Sequence, residues 1–289
     1  MACDHRHVLI TGTSSGIGQA TVTAAAAAGF HVFAGDRGDA NRPDTDASPG
    51  LITHVHLDIT VPDDITAAVE LVGEHVGDAG LDGLANVAGI GIPGPLELMP
   101  MADLRASFEV DFFGQVALTQ PLIPLLRQAK GRIVFIGSIV DRLTIPYFGA
   151  LASSKSAIAA VSDTWRQELA PWGIDVILVE PGFISTGADK ATKARIDHLL
   201  EQMPADGAAS YRDMFQRATE AGYKTQTSGS SPDGVAEVIV TALTTRHPKD
   251  HYLTGSKSHL AAKVARLPQS VQDEMKRRAF DQPKPDSLG

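Results

Sequence analysis

His7-Val8-Leu9-Ile10-Thr11-Gly12-Thr13-Ser14-Ser15-Gly16-Ile17-Gly18 is the stretch from which the chain is read. Residues 7–11 form a short run suited to a buried strand. Gly12, Gly16 and Gly18 follow, and then the alanine-rich Gln19–Ala28 favours a helix. Strand, glycine turn and helix in that order make a cradle for a pyrophosphate. Glycine lets the backbone turn tightly and approach the phosphates, and the first N–H groups of the helix face their charge. A purely structural turn between strand and helix also uses glycine, so position matters, and this turn sits near the N-terminus of a βαβ pattern. No Gly-Lys-Ser/Thr closes it, which argues against a nucleoside-triphosphate loop.

The same alternation continues outward. Strands are predicted near 7–11, 31–35, 53–58, 82–87, 132–138, 174–180 and 251–254, and helices near 16–28, 62–76, 101–128, 152–171 and 232–245. Short β-branched runs between long helical patterns predict a parallel sheet covered on both faces. Arg37–Pro49, rich in Asp, Asn, Pro and Gly, reads as an exposed loop. Residues 187–231 have only weak periodicity and read as a mobile insertion rather than a second domain. Gln282–Gly289 reads as a loose tail. The expectation is one domain over residues 1–289.

Composition narrows the function. The chain has 289 residues, 43% hydrophobic and 20% charged, which supports a packed soluble core. Its formal charge of −9 disfavours nucleic acid and acidic membrane surfaces as partners. Cys3 is the only cysteine, so neither an internal disulfide nor a cysteine-rich zinc site is expected. The ten histidines show no HExxH or other paired ligand spacing, and no metal is expected. Met1–Thr11 has no apolar signal core, and Ala24–Ala28 is too short to span a bilayer, so a cytoplasmic protein is expected.

Several further motifs appear in order. Asn86-Val87-Ala88-Gly89 follows the fourth strand, Ser138 ends the fifth, Ala152-Ser153-Ser154-Lys155 lies in a helix, and Pro181-Gly182-Phe183-Ile184-Ser185-Thr186 follows the sixth. With the Thr11–Gly18 turn, this set resembles the short-chain dehydrogenase/reductase superfamily over about 250 residues. The resemblance implies a doubly wound Rossmann sheet in strand order 3-2-1-4-5-6-7. It implies a nicotinamide cofactor held by Gly12, Thr13, Ser14, Ser15, Gly16, Ile17 and Gly18. Asp58, Ile59, Asn86, Ala88, Gly89, Lys155, Pro181, Gly182, Ile184 and Thr186 complete the implied set. Asp58 also reads as a helix cap, because Thr60 and Pro62 follow it.

Asp36 ends the second strand, where a carboxylate accepts hydrogen bonds from ribose hydroxyls and repels a 2′-phosphate. Arg37 beside it could attract that phosphate, or both could be solvated loop charges. No Lys or Arg occupies Thr13–Ser15. NAD(H) is therefore favoured, with NADP(H) left open.

The resemblance implies four catalytic positions. Ser138 and Lys155 fill two of them. The tyrosine position, four residues before Lys155, holds Leu151, and the asparagine position holds Asp111. Leucine cannot exchange a proton. Tyr147, on the loop before the helix, and Asp111 are candidate substitutes for the proton path. The leading reading is an oxidoreductase acting on an alcohol or carbonyl, with a lipophilic substrate suggested by Ser231–Ala236, Tyr252–Gly255 and Arg266–Pro268 by analogy. The rival is a cofactor-binding pseudoenzyme that senses NAD(H) or serves as an assembly subunit. Relatives pair the helices corresponding to Phe108–Leu126 and Ala150–Trp165 across a two-fold axis, which implies a homodimer or homotetramer.

Overall fold

The computed structural model describes residues 6–38, 51–185, 189–203 and 209–284. Most of the Arg37–Pro49 loop, Thr186, the breaks within the 187–231 insertion and the last five residues lie outside them.

The N-terminal half builds β1 (Arg6–Thr11), α1 (Gly16–Ala27), β2 (Phe30–Asp36), β3 (Ile52–His56), α2 (Pro62–Val76) and β4 (Gly83–Asn86). Next come α3 (Met101–Phe108), a π-helical turn (Glu109–Phe113), α4 (Gly114–Ala129), β5 (Arg132–Ile136), α5 (Ile139–Arg142) and α6 (Gly149–Leu169). The chain continues with β6 (Asp175–Pro181), α7 (Asp189–Gln202), α8 (Ala209–Thr227), α9 (Pro232–Thr244), β7 (His251–Thr254), α10 (Ser258–Val264) and α11 (Gln269–Ala279).

Seven parallel strands lie in the order β3-β2-β1-β4-β5-β6-β7, as expected for a doubly wound sheet. Alternation along β1 explains the two-sided core. Leu9 faces a layer with Phe33, Leu84 and Phe135, closed by Val72 of α2, Leu118 and Leu122 of α4 and Ile158 of α6. Val8 and Ile10 face the other layer with Val32 and Val134, closed by Val22 of α1 and Ile239 of α9. Local signals set the helix ends. Pro62 opens α2 with Asp63 and Asp64 in its first turn, against the positive end of the helix dipole. Gly29, at φ 85°, turns the chain out of α1 into β2.

Four departures from the sequence expectation have physical causes. The predicted 101–128 helix is interrupted by the π turn, which pushes Asp111 inward to full burial. The 187–231 segment contains α7 and α8. Their apolar residues Ile196 and Phe215 pack on each other with Tyr147 and Leu98 instead of forming one stripe against the sheet, so the periodicity is weak. Helices α10 and α11 were not anticipated. α11 is mostly polar, and its buried Gln272 donates to the carbonyls of Ala265 and Leu267. Gln282, expected in a loose tail, is anchored to Tyr147 and Met214. Among the described residues no helix is long and apolar enough to cross a membrane.

Candidate active site

The strand order reverses between β1 and β4, and a cavity of about 400 Å³ opens at the carboxyl ends there. Gly12, Ser14, Ser15, Gly16, Ile17 and Gly18 form one wall. The glycines are required by space. A Cβ on Gly18 would lie 2.1 Å from the Gly12 carbonyl oxygen, and one on Gly12 would lie 2.7 Å from Ala88 Cα. Gly16 holds φ 57°, which L side chains rarely adopt. Ser15 precedes α1 without a side-chain capping bond, and no acidic residue sits in the first turn, so the helix N–H groups are available to an anion.

The far walls hold the charges. Asp36 is buried and accepts from Thr13 Oγ1 at 3.0 Å and from the Gly38 N–H at 2.6 Å, while exposed Arg37 follows it. Both line the cavity with Asp58 and Ile59. Thr13 does not line it; its part is to fix the Asp36 carboxylate. Asp58 lies at the cavity but does not cap α2, whose N-cap is Val61 without a side-chain capping bond. Its Oδ1 accepts from the N–H and the hydroxyl of Thr60. Burial raises the Asp58 carboxyl, but the Thr60 bonds together with the nearby charges of Arg37 and His56 hold the group below its ordinary value.

Ala88 and Gly89 form the floor, and Thr11 Oγ1 secures that loop by accepting from the N–H groups of Val87 and Ala88, each at 3.0 Å. Asn86 is not part of the lining. It is fully buried beneath the floor, donating to Thr119 Oγ1 at 3.0 Å.

A second cavity, about 310 Å³, shares Ile17, Gly89 and Ile90 with the first, so the two adjoin. Ser138, Leu151 and Lys155 line it, as do Pro181, Gly182 and Ile184. Ser138 caps α5, and the Asp141 carboxylate accepts from the Ser138 N–H at 3.3 Å. Lys155 is buried and donates from Nζ to the Ile136 carbonyl at 2.8 Å. Its Nζ lies 3.9 Å from Asp111 Oδ1. Asp111 accepts from the Ile90 N–H and from the hydroxyls of Ser107 and Ser154. Gly89 lies close above this pair, since a Cβ there would be 3.0 Å from Asp111 Oδ1 and 3.4 Å from Lys155 Nζ.

Tyr147 is not brought to this centre. Its φ of 66° turns the ring against Phe215, with 5.4 Å between centroids, and its hydroxyl donates to Gln282 Oε1 at 2.7 Å. Burial raises its pKa, the reverse of what an acid acting near neutrality needs.

The short chain dehydrogenase family pattern matches residues 6–197. The chain belongs to the short-chain dehydrogenase/reductase superfamily. This dehydrogenase-family chain is 34% identical over 261 residues to human 11-beta-hydroxysteroid dehydrogenase type 2, covering 86% of this chain and 64% of that one. It thus spans less than two thirds of that relative's length. It is 32% identical over 260 residues to mouse retinol dehydrogenase 16, covering 86% of this chain and 80% of that one. A short-chain dehydrogenase from Streptomyces avermitilis shares the fold with a TM-score of 0.74 at 26% identity, covering 96% of each chain.

Leu151 lies on the wall of this cavity beside Lys155, and Asp111 stands 3.9 Å behind the lysine ammonium. Sequence reasoning missed several wall residues, namely Ile145, Phe148, Phe183 and Ile196, and also Tyr223 of α8. Tyr223 is the one tyrosine of the chain's four that lines the second cavity. Only the packing of α8 over the sheet ends reveals it.

Proposed function

We propose that this chain is an NAD(H)-dependent oxidoreductase acting on a lipophilic alcohol or the matching carbonyl compound, with a slowed proton step. The adjacency of the glycine-walled cavity to the apolar one that holds Ser138 and Lys155 carries this reading. The cradle fits a dinucleotide, because its glycines leave no room for a Cβ and α1 presents its N-terminus. Gly12, Gly16 and Gly18 would flank the pyrophosphate, Asp36 the adenosine ribose, and Lys155 the nicotinamide ribose. A nicotinamide bound there supplies or accepts the hydride.

The chain's own residues do the rest. Ser138 hydrogen-bonds the substrate oxygen. Ile145, Phe148, Leu151 and Phe183 exclude water and receive an apolar substrate. Helices α7 and α8 act as the cover, since Thr192, Ile196 and Tyr223 reach the same cavity. The relatives named for a hydroxysteroid and for retinol support a lipophilic alcohol as the substrate class. NAD(H) is preferred over NADP(H) because the Asp36 carboxylate is fixed by Thr13 and Gly38 at the place a 2′-phosphate would enter.

The specific observation favouring a second reading is the missing acid. Leu151 cannot transfer a proton, and Asp111 places a carboxylate beside Lys155, as in a chain that binds NAD(H) without turnover. Titration with NADH, followed by turnover across a panel of hydroxysteroids, retinol and smaller alcohols with both cofactors, separates the two. Binding with slow apolar-selective turnover supports the enzyme. Binding with no turnover on any alcohol or ketone supports the sensor.

A further inference from the structure

Linear spacing shows no histidine ligand pattern, but the sheet register creates one. In the β1–β2 pairing His7 stands opposite His31 and Leu9 opposite Phe33. Partners in a parallel register share a face, so both imidazoles point to the side on which α2 packs. His75, in the last turn of α2, completes the group. One ring nitrogen from each of the three residues lies within 4.8 Å of the others.

We infer that His7, His31 and His75 form a binding site for a divalent first-row cation of the zinc class, at the end of the sheet remote from the cofactor cradle. The site is independent of the oxidoreductase reading: His7 and Thr11 are separated by roughly 13 Å of strand, at about 3.3 Å per residue.

Four features support it. Imidazole nitrogen is a preferred ligand for zinc, cobalt, nickel and copper, and three such ligands leave the fourth position to water or a carboxylate. Metal–nitrogen bonds near 2.1 Å put tetrahedral donors about 3.4 Å apart, so closing from 4.8 Å needs inward movement on the order of 1 Å per ring. His75 is exposed at a helix end and has the freedom to make that movement. Second, the outer partners are in place: His31 Nε2 lies 2.9 Å from Thr53 Oγ1, the kind of contact that orients a ligating ring. Third, Asp82 Oδ2 accepts from the His7 backbone N–H at 2.7 Å and lies 4.0 Å from His7 Nδ1, adding negative charge beside the cluster. Fourth, the rings are gathered over Phe33, with His31–His75 centroids 4.4 Å apart and His7 centred 5.7 Å from each. Three imidazoles this close repel one another when protonated, whereas one cation satisfies all three. The bound ion would tie β1, β2 and α2 together, so its effect is on stability, not on the hydride step.

The test uses tag-free, chelator-stripped protein of the full chain titrated calorimetrically with zinc chloride, with cobalt chloride as a spectroscopic probe and magnesium chloride as control. One zinc per chain should bind, cobalt should show the visible absorption of a tetrahedral nitrogen site, and magnesium should not bind. Zinc at about a hundred times its Kd should raise Tm by about 4 °C for a chain of this size. His75→Ala, at an exposed position, keeps the fold and should weaken zinc binding at least about tenfold, the lower end of what losing even an outer-shell partner costs. His31→Gln should do the same, and neither change should alter NADH affinity. Absence of zinc binding by the unaltered chain overturns the inference. Zinc binding that survives both substitutions also overturns it.

Discussion

Restoring a phenol at position 151 is the most informative single perturbation. Position 151 lies one helical turn before Lys155 on α6, and both side chains line the cavity that holds Ser138. A tyrosine there would stand between the lysine and the substrate oxygen, in a cavity of about 310 Å³. Supplying a positioned acid is worth about 10²–10⁴ in rate. The structure says why the single change should recover only part of this. Asp111 Oδ1 lies 3.9 Å from Lys155 Nζ, a pairing worth up to about 4 kcal/mol at an effective dielectric of about 20. That pairing opposes the lysine's ability to lower the pKa of a new phenol. Leu151→Tyr alone should therefore raise kcat by about tenfold, and Leu151→Tyr with Asp111→Asn by about 10² or more. The Ile90 N–H keeps its acceptor in the double variant, because asparagine retains a carbonyl oxygen. The assay follows nicotinamide absorbance with saturating cofactor and ketone, alongside NADH affinity. If both variants bind NADH like the parent and neither gains rate, the proton path is wrongly assigned. Brisk parental turnover that falls on Tyr223→Phe would place the acid on α8 instead.

Three further outcomes are expected. NADH should bind at least about tenfold more tightly than NADPH, a difference of 1.4 kcal/mol, and Asp36→Ala should narrow the gap; equal affinities in the parent would give Arg37 the leading role. Asp141 is raised to about 7 by burial, with the Glu180 carboxylate adding to it. A folded carboxyl above its unfolded value favours the protonated native state, so stability falls as pH rises from about 5 to 7 and is flat beyond. The loss is about 2 kcal/mol and should vanish in Asp141→Asn, which mimics the protonated acid; parallel denaturation curves for both proteins across that range would refute it. The chain should form a dimer or tetramer through α4 and α6, consistent with Phe113 being 51% exposed at the start of α4, and a monomer by light scattering at micromolar concentration would contradict that.

The parts of this molecule that local chemistry dictates were legible in the sequence. The parallel alternation of strand and helix followed from the residue pattern, the strand order was what the family resemblance implied, and Ser138, Leu151 and Lys155 do share one cavity. Positions that depend on packing at a distance were not legible. Tyr147 looked close to Leu151 along the chain, but its left-handed backbone sends it to Phe215 and Gln282. Asn86 carries the expected residue type, yet its side chain lies beneath the floor, against Thr119. The ionic group around buried Glu180 was also hidden. Arg142 Nη2 donates to Glu180 Oε2 at 2.7 Å, and His251 Nδ1 lies 3.1 Å from the same oxygen, joining residues far apart in sequence. His7, His31 and His75 show the same limit, because their meeting depends on strand register and not on spacing.

In the proposed reaction a hydride passes between a nicotinamide held in the glycine-walled cradle and an alcohol carbon in the adjoining apolar cavity. Deuteride transfer tests it without depending on a fast rate. The protein is incubated with NADH deuterated at the transferring carbon and a steroid or retinoid carbonyl, and the products are examined by mass spectrometry. The account predicts one deuterium on the carbinol carbon, formed slowly by the parent chain, faster by Leu151→Tyr, and lost in Lys155→Met. Saturated binding of NADH with no deuterium in any alcohol, from the parent or from Leu151→Tyr, would contradict it.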